Sequence, residues 1–280
     1  MRVSWLGFFF ASLVGFSGCS SPPGGAKGPS AGWVAGDPAA PSQVSAAEAL
    51  ATAAAYASHP WRPFERNILH GRDRNGVTVQ TPDIGYRSPP DRDGWWVPGE
   101  VNRGVPYKWG GFDDLPTFDQ RIAAGHAGGD VSSAAKREAD DAGVSDFAAG
   151  VDCSGFVSRC LNLPTVHDTS QLPNVCRVLE RAEELMPGDL LNIRKGHVVL
   201  VAGWARRDKS WIYYYDTGGG PDYWRPSLKM SPLSPMLALG YQPLRYLGLA
   251  FDPTASAKAP LTRTIKTQAQ VVPDPVVGEP

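Results

Sequence analysis

The sequence predicts a fold of the α+β class, with helical segments gathered ahead of Leu185 and strands behind it. Three stretches carry that expectation. Ser45 to Ser58 is rich in alanine, and Ser45 followed three residues later by Glu48 is the pair that makes a capping box. Gly150 to Cys160 reads as a turn running into a helix, with Phe156, Val157 and Cys160 apolar at helical spacing. Gly196 to Trp204 is a continuous apolar run and Trp211 to Asp216 a second, joined by the charged turn Arg206 to Ser210. Both read as strands, the first a central one.

With 280 residues, 42% hydrophobic and 20% charged, the chain is long enough for one large domain or two small ones around a substantial core. A net charge of -1 lacks the basic surplus of a nucleic-acid binder and argues against that class of partner. The 31 glycines and 26 prolines imply many turns and unstructured ends.

At the N-terminus, Arg2 precedes an apolar run from Trp5 to Phe16 and the small residues Ser17 and Gly18, which reads as an export signal over residues 1–18. The run is too short for a comfortable membrane-spanning helix. Phe16-Ser17-Gly18-Cys19 resembles a bacterial lipobox, which implies lipidation of Cys19 and anchoring at the periplasmic face of the outer membrane. Phe16 stands where leucine is usual, and simple secretion is the alternative. Residues 19–44, rich in Pro, Gly, Ala and Ser, read as a flexible tether.

Residues 45–104 follow as an N-terminal extension. After its first helix, stopped by His59-Pro60, Asp73-Arg74-Asn75-Gly76 signals a turn before Val77-Thr78-Val79; the spacing of acidic residues there excludes a calcium loop. Trp95 and Trp96 are adjacent and on a strand would face opposite sides, one inward and one near a groove. Within the polar stretch Phe112 to Gly150, Asp114–Gly125 and Ser132–Asp141 are expected helices, and the Cys153 helix is expected to end near Leu163-Pro164. Thr169 to Glu184 reads as a further helical piece, Leu185 to Ile193 as a turn into a strand, and Tyr241 to Leu249 as another strand. Pro253 to Pro280 is polar and proline-rich without hydrophobic period, so the 253–280 tail is expected to be disordered.

Cys153 sits at or near the first turn of its helix, where unpaired N–H groups and the helix dipole stabilise a thiolate. His197 opens the very apolar strand, an unwelcome place for a charged ring unless it acts as the base. His59, His70, His126 and His167 lie at a helix end or in polar turns and loops. A third group should orient the imidazole: Asp216, near the end of the next strand, is the choice, and Tyr214, of the same strand parity, is the alternative. Asp152 fixes the turn rather than acting as an acid. Of the four cysteines, Cys153 and Cys160 are seven residues apart on a helix, about 10 Å at ~1.5 Å per residue, too far to bridge. A Cys160–Cys176 disulfide and two reduced thiols both remain open.

Asp152-Cys153-Ser154-Gly155-Phe156, preceded by Tyr107-Lys108-Trp109-Gly110-Gly111 and followed by Pro187-Gly188-Asp189 and Gly196-His197-Val198, resembles the NlpC-type papain-like cysteine peptidases. The likeness runs from about Val105 to Leu249, which marks residues 105–252 as the catalytic domain. It implies a papain-like α+β fold, with the nucleophile helix packed on a small antiparallel β-sheet that carries the histidine. It further implies Cys153 as nucleophile, His197 as base, an oxyanion held by the Cys153 backbone N–H, and no cofactor or metal. Tyr107, Trp109, Asp152, Ser154 and Tyr214 are the residues expected at the substrate site. The implied substrate is bacterial cell-wall peptide, cut at an amide bond between D-γ-glutamyl and a diamino acid by a monomeric enzyme. Two features depart from the family: its third residue is usually His, Asn or Gln, and the stretch from Phe112 to Gly150 is a long insert. A papain-like amidase or acyl transferase on a non-wall substrate, and a non-catalytic wall-binding lipoprotein, are the other readings. Retention of both Cys153 and His197 argues against the last.

Overall fold

Helix α1 (Ala46–Ser58) begins where the capping box predicts: Ser45 Oγ accepts from Glu48 N–H at 3.2 Å, and Glu48 Oε2 accepts from Ser45 N–H at 2.8 Å. A computed structural model of the chain describes residues 42–88, 92–218 and 222–250, together with the backbone of 270–271. The signal segment, Cys19 and the expected tether as far as residue 41 lie outside the described residues. The end of that tether is fixed, because Val44 is buried and Val44–Ser45 pairs with Leu249–Ala250. No helix among the described residues is long and apolar enough to cross a membrane.

The chain combines helices with a seven-stranded sheet. In chain order its strands are β1 (Cys176–Val178), β2 (Leu190–Asn192), β3 (Val198–Trp204), β4 (Trp211–Asp216), β5 (Ser227–Pro232), β6 (Gln242–Tyr246) and β7 (Gln270–Val271). In space they run β7-β5-β4-β3-β2-β6-β1, antiparallel throughout except for the parallel β5–β7 pair. The apolar run of β3 is therefore central, and both its faces are covered. Val198 and Leu200 meet Phe156 and Val157 of α4 (Cys153–Cys160), while Val199 and Val201 meet Leu233 and Met236 of α5 (Leu233–Ala238).

Two further helices lie within the insert. Asp114 caps α2 (Leu115–Ala123), which buries Phe118 and Ile122 one turn apart, and Ser133 caps α3 (Ala134–Ala139). The N-terminal extension packs onto the same core: Tyr56 of α1 meets Phe156 edge-on at 5.9 Å, and its hydroxyl donates to Asp113 O at 2.8 Å. Asp73–Gly76 forms the turn of a small hairpin, His70–Arg72 with Thr78–Gln80. Trp96 is fully buried and donates to Gly128 O, whereas Trp95 is half-buried and donates to Trp224 O, so the two rings do divide between core and surface.

Several expectations are corrected. Thr169–Glu184 is not a helix: a 3₁₀ turn over Leu172–Val175 carries Pro173, then β1 pairs along β6, and a second 3₁₀ turn spans Ala182–Glu184. The free edge of β6 outweighs local helical preference there, helped by β-branched Val175 and Val178. Helix α4 stops at Cys160, because Asn162 turns into positive φ (53°). Strand β5 has no counterpart in the sequence reading. Cys160 and Cys176 are both free thiols, so no bridge joins them. Within the tail expected to be disordered, Gln270–Val271 pairs with Lys229–Met230, and the rest lies outside the described residues.

Tyr56→Ala is expected to lower the unfolding free energy by about 3–5 kcal/mol through the cavity left against α4. Tyr56→Phe, which loses only the hydroxyl bond, is expected to cost about 1 kcal/mol. Urea denaturation measures both, and equal losses would show that the ring contact contributes nothing.

Candidate active site

Asp152 starts α4. Its Oδ1 accepts from Gly155 N–H at 2.6 Å and Ser154 Oγ at 2.9 Å, and its Oδ2 accepts from Gly110 N–H at 3.1 Å. One carboxylate thus caps the helix and ties it to the segment Tyr107–Gly111. The tie is close: a Cβ on Gly155 would lie 1.8 Å from Gly111 O, and one on Gly111 would lie 2.5 Å from Gly150 O. Lys108 N–H donates to Val151 O and Val151 N–H to Pro106 O, completing the backbone pairing of the two motifs. Burial pushes the Asp152 carboxyl up, against the pull of the Gly155 and Ser154 donors. Cys153 follows as the first helical residue, 9% exposed, with its backbone N–H among the helix's unpaired donors.

His197 ends the Arg194–Gly196 turn and leads into β3, anchored by its backbone to Ile193 on both sides. Its Nε2 lies 2.7 Å from Asp216 Oδ1 at the end of β4. Asp216 Oδ2 in turn accepts from Lys229 Nζ of β5 at 2.9 Å. Burial would raise the Asp216 carboxyl, but Lys229 and then His197 outweigh it and hold the group well below the usual carboxylate range. An ionised carboxylate only accepts, so His197 Nε2 carries the proton and donates, which leaves Nδ1 to exchange a proton with a nucleophile. Burial alone would push the imidazole down; the charges of Asp216, Tyr241 and Cys153 reverse this and hold it well above the usual histidine value.

Strand parity explains the layout. Tyr214 faces Leu233 and Met236 on the α5 side; Asp216, two residues on, and Lys229, paired opposite Tyr214, share that face. Cys153 belongs to the core on the α4 side. His197, at the end of the central strand, is where the two sides meet. Gly218 runs beside its ring: a Cβ there would lie 3.8 Å from His197 Cε1 and 2.8 Å from Tyr107 Cε2, at φ +92°.

Of the residues expected at the substrate site, Tyr107 is buried beside these groups. It is edge-on to Trp224 at 5.5 Å, and its hydroxyl pKa is pushed far up, first by burial and then by the nearby Cys153 charge, with a Ser132 hydrogen bond pulling down. Trp109 is half-buried and donates to Asp140 O of the insert. Asp152 and Ser154 serve the helix cap. Tyr214 is 5% exposed, with its hydroxyl hydrogen-bonded to Ser231 in the α5-side core. The side chains of Ser154 and Tyr214 are both buried and hydrogen-bonded within the protein. Asp216, not Tyr214, holds the histidine.

Two residues were not anticipated. Lys229 was hidden because β5 was not read as a strand; its signal is a lysine between the apolar residues Leu228 and Met230. Tyr241 stands edge-on to His197 at 6.4 Å, just ahead of β6, and nothing in its sequence neighbourhood marks it.

The raised His197 stabilises the fold fully below its unfolded value, about 6.5, and that contribution is lost as pH rises through the folded value. The depressed Asp216 contributes above about 3.9 and loses its contribution as pH falls through its folded value. An NMR titration of the His197 imidazole is expected to show a midpoint well above 6.5, with unfolding free energy declining as pH rises through it. Asp216→Asn is expected to lower the midpoint; no change would mean that the carboxylate does not hold the imidazolium.

Comparison of the chain with known protein families, with curated proteins and with solved structures finds no match in any of the three.

Proposed function

We propose that this chain is a papain-like cysteine hydrolase that cleaves amide bonds in bacterial cell-wall peptides, of the D-γ-glutamyl–diamino acid type. The observation that carries the reading is the 2.7 Å contact between His197 and Asp216, beside a cysteine placed at the first residue of a capped helix. The helix-on-antiparallel-sheet arrangement supports the papain-like comparison, and the four motifs that resemble the NlpC-type peptidases contribute the substrate class.

In this reading Cys153 Sγ, its proton held at His197 Nδ1, attacks the scissile carbonyl carbon. The oxyanion that forms is met by the Cys153 N–H at the positive end of α4. His197 then delivers its proton to the leaving amine, and the C–N bond breaks to leave a thioester on Cys153. Water, deprotonated by the same imidazole, attacks the thioester and releases the acid and the thiolate. Asp216 stays ionised throughout, and stabilises the imidazolium without taking its proton. Export, and a lipid anchor on Cys19 at the periplasmic face of the outer membrane, would place the enzyme beside this substrate.

Incubating purified muropeptides with the form lacking residues 1–19 is expected to yield new fragments whose masses identify the cut bond, with none from Cys153→Ser. A folded protein whose Cys153 alkylates rapidly but leaves muropeptides intact would overturn the wall assignment and favour an amidase or acyl transferase acting on another substrate. A Cys153 inert to alkylation at neutral pH would instead favour a binding lipoprotein.

A further inference from the structure

We infer that Lys229 is a positioning residue of the active site, which fixes the Asp216 carboxylate so that Oδ1 stays aimed at His197 Nε2. The inference rests on the reading of Cys153 and His197 as nucleophile and base, and is independent of the substrate.

Lys229 has no exposed surface, and it lies in the middle of β5 with core residues on either side. An ammonium in such a place is costly unless it is paired and hydrogen-bonded. Its Nζ reaches diagonally across the β4–β5 pair, from the position opposite Tyr214 to Asp216 Oδ2 at 2.9 Å, while Oδ1 is engaged by His197 at 2.7 Å. With both oxygens held, the carboxylate cannot rotate away from the imidazole. The groups facing this chain are Tyr214 on the same strand, Tyr241 ahead of β6, Cys153 from α4, His197 before β3 and Lys229 itself. In the attacking state Cys153, His197, Asp216 and Lys229 alternate in charge.

The lysine also accounts for the unusual third residue. A neutral Asn or Gln at the end of β4 would orient the imidazole without a counter-ion. A carboxylate there is fully enclosed, and His197 is a cation for only part of the cycle. Lys229 meets the carboxylate from the far side, so Asp216 keeps a second partner and remains an anion while His197 gains and loses its proton. Of the two cations acting on Asp216, Lys229 has the larger effect.

The test is the pH profile of Cys153 alkylation by iodoacetamide in the full chain, for wild type, Lys229→Met, Asp216→Asn and the double variant. Lys229→Met is expected to move the low-pH limb upward by about one unit, with alkylation near pH 5 about tenfold slower. This follows because Asp216, without its stronger cation, regains a proton sooner and His197 loses its anion. The double variant is expected to follow the profile of Asp216→Asn, because a positioning role reaches His197 through the carboxylate. Replacing a buried pair by neutral groups is often tolerated, so this comparison remains available if Lys229→Met does not fold. A Lys229→Met profile identical to wild type, or a limb moved to lower pH, would overturn the inference; so would a double variant slower than Asp216→Asn. Intact muropeptides alongside a shifted Lys229→Met profile would count against the wall substrate and leave this role of Lys229 standing.

Discussion

Everything at the candidate site depends on one half-buried carboxylate that fixes the start of a helix to a neighbouring loop. Asp152 accepts from Gly155 and Ser154 on its own helix and from Gly110 across the gap, so the first turn of α4 cannot move without the Tyr107–Gly111 segment. The approach that makes this possible needs bare backbone on both sides: Gly155 lies against the Gly111 carbonyl, and Gly111 against that of Gly150. Two stretches about forty residues apart in sequence thereby become one rigid corner. Cys153 occupies its apex, where the helix presents unpaired N–H groups.

The histidine reaches that corner from a different structural layer. A sheet separates two cores, and Cys153 belongs to one while Asp216 and Lys229 share the strand face of Tyr214, which looks to the other. Only the end of a strand touches both, and His197 stands at the end of the central one. This division keeps two like charges, the carboxylate and a thiolate, apart. Asp216 cannot approach the thiol directly, so its negative charge acts on the imidazole, where it favours the cation, rather than on the sulfur, where it would oppose the thiolate. The alternating order along the chain follows from strand geometry: residues two apart on β4 and diagonal across β5 share a face.

How far the sequence revealed this depended on whether local pattern or distant pairing decides each element. The capping box at Ser45, the cap and helix at Asp152–Cys160 and the apolar β3 run are local signals, and they gave α1, α4 and the central strand. The pairing of Asp216 with His197 was legible because adjacent antiparallel strands bring their facing ends together. Thr169–Glu184 was misread because β1 exists only as a partner of β6, a contact that no local periodicity records. Lys229 was missed for the same reason: Ser227–Pro232 is bounded by proline and carries a lysine, so it reads as a loop until β4 supplies its partner. Sequence parity placed Tyr214 correctly on the face of Asp216, but could not reveal that α5 covers that face.

The long insert between Phe112 and Gly150 is tied into the back of the Cys153 corner. Trp109 N–H donates to Asp130 O, the Trp109 indole to Asp140 O, and the Tyr107 hydroxyl bonds to Ser132. Within the insert, Lys136 Nζ meets Asp130 Oδ2 at 2.6 Å and Gly143 O at 2.8 Å, and Arg121 meets Asp113 at 3.3 Å. Buried pairs of this kind add little net stability, but breaking one is costly, so they select a single arrangement over near alternatives. The N-terminal extension acts in the same direction from the other side, with Tyr56 against Phe156 and its hydroxyl on Asp113 O. Insert and extension converge on Asp113, whose Oδ2 also accepts from Gly150 N–H at 2.9 Å, three residues ahead of Cys153. The segments outside the four motifs therefore hold the turn that carries Cys153 in place, and the proposed attack on an amide carbonyl would draw on that precision.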